Sequence, residues 1–139
     1  MHASESSLIW LAGEVPAGFP SPAEDFAAKP LDLHELLIAH PQATFFLRLR
    51  GESLRDAGIL DGDIVVVDRA LKPRGGDLVV AEVGHEFTCK FLRYRGRRPV
   101  LSAANPTYPD IVPDDEQGLR VFGVVTGIVR TLRPHGGVR

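Results

Sequence analysis

Glycine and proline recur so often along this chain that long regular elements have little room. Fourteen glycines and eleven prolines are spread through its 139 residues. Each is a place where a helix ends or a strand turns. A helical bundle is therefore excluded, and short strands joined by tight turns are expected. The length is that of one domain with a core of its own.

The first thirty residues differ from the rest. Pro16, Pro20, Pro22 and Pro30 push their neighbours toward extended geometry, so residues 1–30 read as a flexible N-terminal arm and 31–139 as the folded domain. A helix is expected from Asp32 to about His40, capped by Asp32, with Leu33, Leu36 and Leu37 as its apolar face and Pro41 as its stop. Strands are expected at Thr44–Arg50, Ile64–Asp68, Asp77–Val83, Glu86–Tyr94 and Val100–Ala103. Gly84-His85 has the form of a two-residue hairpin turn. Leu119–Leu132 reads as a long strand bulged near Gly123 and Gly127, and Pro134–Arg139 as a frayed tail. The expectation is a mostly β domain with one short helix behind a flexible arm.

Charge and cysteine content narrow the function classes. Sixteen basic and eighteen acidic residues give a net charge of −2, so the overall field does not favour a polyanion. Cys89 is the single cysteine, which excludes an intrachain disulfide and a multi-thiolate zinc site and suits a reducing cytoplasm. No apolar run is long enough to span a bilayer, and Leu8–Ala12 has no basic residues before it as a secretory signal would. A cytoplasmic protein without a membrane partner is expected. Asp110, Asp114, Asp115 and Glu116 lack the spacing of a calcium loop, and no phosphate-cradling or metal-ligand motif is present, so neither cofactor nor metal is expected.

Two residues could carry chemistry. Ser53, in Gly51-Glu52-Ser53-Leu54-Arg55, fits either a helix N-cap or a nucleophile at a turn whose N–H groups stabilise an oxyanion. Arg55 occupies the second glycine position of an α/β-hydrolase elbow, which excludes that motif in its usual form. None of His2, His34, His40, His85 and His135 stands in a setting that faces the serine. Lys90 lies within a strand among apolar and small neighbours. It is either a desolvated lysine usable as a base, or one that buries its stem and keeps its head in water. Arg93, Arg95, Arg97 and Arg98 surround Gly96 at a strand end or hairpin tip. They could touch phosphate, although one basic loop on a net-acidic domain is more often simply solvated.

Taken in order, several segments resemble the UmuD family, the LexA-like self-cleaving Ser-Lys peptidases of S24 type. Gly18–Phe26 resembles the arm around the family's cleavage site, and Leu31–Pro41 the segment after it. Gly51-Glu52-Ser53-Leu54 with Gly58–Asp63 resembles the serine motif, Glu86–Lys90 the lysine motif, and Val121–Val125 the closing strand. The family usually has Met where this chain has Leu54, a swap that conserves volume.

The resemblance implies a LexA/signal-peptidase-like β fold, usually a homodimer, that cuts its own arm. By position, Ser53 is the nucleophile, Lys90 the general base and Ala17–Gly18 the scissile bond. It also implies stimulation by RecA on single-stranded DNA after DNA damage. The shortened product then joins a UmuC-like Y-family polymerase for error-prone translesion synthesis, with no sequence-specific DNA binding of its own. Seventeen residues ahead of the cut are too few for the DNA-binding helices of a LexA repressor, so a repressor is not expected. The alternative is a non-catalytic dimeric scaffold for a translesion polymerase. Self-cleavage separates the two.

Overall fold

The computed structural model describes residues 8–11, 14, 29–116 and 118–134. Packing groups the chain into two compact units, residues 1–38 and 39–139. In the first, β1 (Leu8–Leu11) pairs antiparallel with β2 (Lys29–Asp32), with Leu8 opposite Asp32 and Leu11 opposite Lys29. The sequence reading had no strand pair here. Helix α1 follows at Leu33–Leu37, and the Asp32 carboxylate accepts from the N–H groups of His34 and Glu35 (3.0 and 3.4 Å), as expected of its cap. The helix is shorter than expected because Ile38 is already extended. His40, before Pro41, is also held out of the helical region. Leu33 and Leu36, the expected apolar face, are exposed. Pro41 opens a 3-10 turn, Pro41–Ala43, rather than merely ending a helix.

The second unit is one antiparallel sheet. Its strands are β3 (Thr44–Arg48), β4 (Ile64–Asp68), β5 (Leu78–Val83), β6 (Glu86–Arg95), β7 (Arg98–Ser102) and β8 (Leu119–Val129). They are ordered β3-β4-β8-β5-β6-β7. The strands fall where the sequence put them, with β3 and β8 ending two and three residues early and β7 beginning two residues early. Val83 opposite Glu86 closes the hairpin over Gly84-His85, and Arg95 opposite Arg98 closes a second over Gly96-Arg97.

Both faces of the central strands are covered. Leu49, Leu54, Val65, Val67, Leu78, Val80 and Cys89 form one core cluster, and Val79, Ala81, Leu92, Leu101 and Val124 another. Val65, Val66 and Val67 are all buried, so side chains on both faces of β4 are covered. A strand covered on both sides needs a continuous apolar run rather than alternation. Each such valine contributes roughly 1.5–3 kcal/mol.

The long strand is bulged next to both expected glycines. Register shifts opposite Val80/Ala81 and Val66/Val67 leave Phe122 and Thr126 as extra residues beside Gly123 and Gly127. Gly123 has no alternative: a Cβ there would lie 2.6 Å from Val67 Cγ1 and 3.1 Å from the Asp68 carbonyl oxygen. Among the described residues, no helix is long and apolar enough to cross a membrane.

Candidate active site

The chain leaves β3 through Leu49 and turns at Gly51, whose φ of +96° only glycine adopts without strain. Ser53 and Leu54 follow, both buried, and a 3-10 turn runs over Arg55–Ala57. The cap position of that turn is Leu54, so the N-cap reading of Ser53 fails. Leu54, fully buried, anchors the turn in the core while its neighbour Ser53 faces a cleft.

Two clamps hold the serine segment. On one side the Ser53 carbonyl accepts from Ala104 N–H at 2.7 Å, and the Asn105 amide donates to the Glu52 carbonyl at 2.9 Å. Asp56 N–H donates in turn to the Ala104 carbonyl at 2.8 Å. On the other side Gly51 N–H donates to the Asp61 carboxylate at 2.6 Å. Behind it, Arg130 grips Asp63 with two bonds of 2.6 and 2.7 Å and reaches the Gly58 carbonyl at 2.7 Å. The Arg130 hydrogen bond lowers the Asp63 pKa against the cost of burial.

Ser53 and Lys90 line one cleft of about 290 Å³, with Leu47, Val80, Phe87 and Thr88 among its walls. Lys90 is half-buried and its ammonium donates to Thr88 Oγ1 at 2.7 Å. That bond ties its head to the strand beside the cleft. Burial pulls the Lys90 pKa below the ordinary lysine value, with the neighbouring Cys89 opposing in part. Burial likewise pushes the Cys89 thiol up to about 11, so it stays protonated at neutral pH. The half of β6 that carries Thr88 and Lys90 pairs with β5 but not with β7, whose last residue, Ser102, lies opposite Phe91.

Neither His40 nor His85 lines this cleft. His40 pairs through Nδ1 with Asp68 at 2.6 Å, His85 sits in the exposed β5–β6 turn, and His34 lies on α1. Burial would raise the Asp68 pKa, but its bonds to His40 and to Ala70 N–H outweigh that and lower it. His2, His135, Ala17 and Gly18 lie outside the described residues. Among the described residues no group of His, Cys, Asp or Glu side chains is placed to hold a metal ion. Sequence reasoning missed Asn105, and carried Thr88 and Asp61 only as members of the matched motifs, without a role of their own. Asn105-Pro106 is a turn signal that could have flagged the first.

An antiparallel β domain that brings a buried serine and a desolvated lysine into one cleft has the parts of a serine peptidase. The chain belongs to the Peptidase S24-like family, which it matches over residues 9–126, and its sheet is the LexA/UmuD-like β fold of that family. It is 46% identical over 118 residues to protein SamA of Salmonella typhimurium, covering 85% of this chain and 81% of that one. It is 47% identical over 119 residues to protein ImpA of Escherichia coli, covering 84% and 79%. To protein MucA of Escherichia coli it is 45% identical over 121 residues, covering 86% and 82%.

Proposed function

We propose that this chain cuts its own N-terminal arm between Ala17 and Gly18, with Ser53 as nucleophile and Lys90 as general base and acid. The observation that carries this reading is the shared cleft: Ser53 and Lys90 line it together, and burial disfavours the charged lysine. Neutral Lys90 Nζ takes the Ser53 proton as Oγ attacks the Ala17 carbonyl carbon. The resulting ammonium protonates the departing Gly18 amine, and water then releases Ala17 from the serine ester. The β6 edge that β7 leaves unpaired beside Lys90 suits an extended peptide added as a strand. Small Ala17 and Gly18 let that peptide approach closely, and the following prolines keep it extended.

The biological setting follows from membership of the family and the UmuD resemblance. In this reading the homodimer is cytoplasmic, and a RecA filament on single-stranded DNA stimulates the cut after DNA damage. The shortened product joins a UmuC-like Y-family polymerase for mutagenic translesion synthesis. Intact mass followed over time at neutral pH and near pH 10, for the wild type and Ser53→Ala, tests the chemistry. A species matching residues 18–139 in the wild type alone supports it. If the wild type stays whole even with RecA, single-stranded DNA and nucleotide, the scaffold reading replaces it.

A further inference from the structure

Charge is divided unevenly along this chain. Residues 1–28 hold four acids, Glu5, Glu14, Glu24 and Asp25, and no lysine or arginine. All sixteen basic residues lie from Lys29 onward, where fourteen acids accompany them. The overall charge of −2 therefore hides an acidic arm joined to a mildly basic domain. The acid nearest the Ala17–Gly18 bond is Glu14, three residues before Ala17, whereas Glu24 stands six residues after Gly18.

The cleft has the opposite bias. Arg48, Arg50 and Lys90 line it beside Ser53, and among the described residues no carboxylate does. The two arginines also border a second cavity of about 450 Å³, whose acids, Asp61 and Asp63, are already engaged. Asp61 accepts from Gly51 N–H at 2.6 Å, and Asp63 is gripped by Arg130. Arg48 donates to the Gly62 carbonyl at 2.8 Å. Arg50 lines both cavities, yet its guanidinium makes no hydrogen bond or ion pair among the described residues. Arginine keeps its charge at any pH where a lysine can act as a base, so the cleft stays cationic while it works. An unused fork of donors in a cationic cleft is complementary to a peptide that brings a carboxylate.

We propose that Arg50 selects the peptide that enters the cleft by taking the carboxylate of Glu14. This rests on the reading that the cleft cuts the arm, and it holds whichever copy of the chain supplies that arm. In an extended peptide Glu14 stands about 10 Å from Ala17, since each residue spans roughly 3.3 Å. Arg50 precedes Ser53 by the same three residues. Its guanidinium can meet a carboxylate through two parallel hydrogen bonds, while Arg48, held by Gly62, adds positive field. The substrate class is an extended peptide with small residues at the cut and an acid three residues upstream of it.

Charge reversal in the full chain tests this, with self-cleavage followed by intact mass. Glu14→Lys and Arg50→Glu should each slow the cut about fivefold, and E14K/R50E should return it to within about twofold of the wild type. Glu24→Lys should leave the rate unchanged, and added salt should shrink the effect of Glu14→Lys. Glu14 and Arg50 are exposed, and an unchanged thermal melt checks that each variant folds. A Glu14→Lys chain that cuts at the wild-type rate, or a double variant no faster than either single one, overturns the proposal. A second measurement does not need the cut. In the Ser53→Ala background, E14C/R50C should form a disulfide under mild oxidation and E24C/R50C should not, with peptide mapping to separate it from any bond to Cys89. Trapping at position 14 when the wild type never cuts would keep this docking and discard the self-cleavage reading. Trapping at 24 in place of 14, or at neither, overturns the docking itself.

Discussion

One strand carries two kinds of cation. In its first half, Lys90 is half-buried, bonded to Thr88 and lines the cleft that Ser53 also lines. At its end, Arg93, Arg95, Arg97 and Arg98 stand in water around a hairpin turn. The difference lies in what covers each half. Around Lys90 the strand contributes to the first core cluster and shares a cleft with the serine loop, and burial disfavours the charged form of the lysine. Beyond Tyr94 the hairpin's arginines are exposed and remain fixed positive charges, Arg95 paired with Asp110. Position along one strand sets whether a cation is desolvated or stays a solvated fixed charge.

Lys90→Met should break this contrast most sharply. Self-cleavage should fall by about a thousandfold or more, because Ser53 loses its base. The same change relieves a desolvated ammonium and should raise Tm by roughly 2 °C. Arg97→Met, at the other end of the strand, should alter neither quantity. Intact mass and thermal melts read both. A Lys90→Met protein that cuts normally would remove the dyad from the account.

Leu54→Ala should have the largest effect on stability, since its side chain is fully buried beside the nucleophile. It should cost about 3 kcal/mol and lower Tm by roughly 10 °C in a thermal melt. Asn105→Ala should be milder and opposite in character. It frees the Glu52 carbonyl and loosens the serine turn, so cleavage should slow about tenfold while Tm falls by only a few degrees. Equal loss of stability and activity would make Asn105 purely structural.

The smallest expected effect is on the acid limb. Asp63 and Asp68 both have pKa values lowered below 3.8 in the fold. A carboxylate held lower in the folded than in the unfolded state contributes its stability above the unfolded value. That contribution is lost as pH falls from about 4 through the folded values. Urea midpoints between pH 6 and 2 should therefore drop below pH 4, and Asp68→Asn should flatten part of that drop.

Much of this was legible in the sequence, for reasons that differ by element. Ile64–Asp68 announced a strand through its β-branched run, while its central, buried place came only with the fold. Gly84 and Gly96 marked hairpin turns because each adopts a positive φ. Asp32 marked a helix start because only a short acceptor side chain reaches the free N–H groups there. The Ser53 and Lys90 assignment came from matching motifs. Their meeting in one cleft came from tertiary packing, which local pattern does not encode. The β1–β2 pairing and the Ala104–Asn105 clamp were missed for the same reason, since each joins segments far apart in the chain. The helix end was misread because the apolar spacing of Leu33, Leu36 and Leu37 ran on toward Pro41 while the backbone was already extended at Ile38.

The central claim is that Lys90 works as the base of Ser53 because burial keeps it from holding its proton. The rate of self-cleavage as a function of pH tests it most directly, measured by intact mass in the wild type and in Lys90→Ala. The account predicts a wild-type rate that rises with pH and levels off below the ordinary lysine value of 10.5, with the variant inert throughout. A rate independent of pH, or a Lys90→Ala chain that still yields residues 18–139 with the wild-type profile, would contradict it.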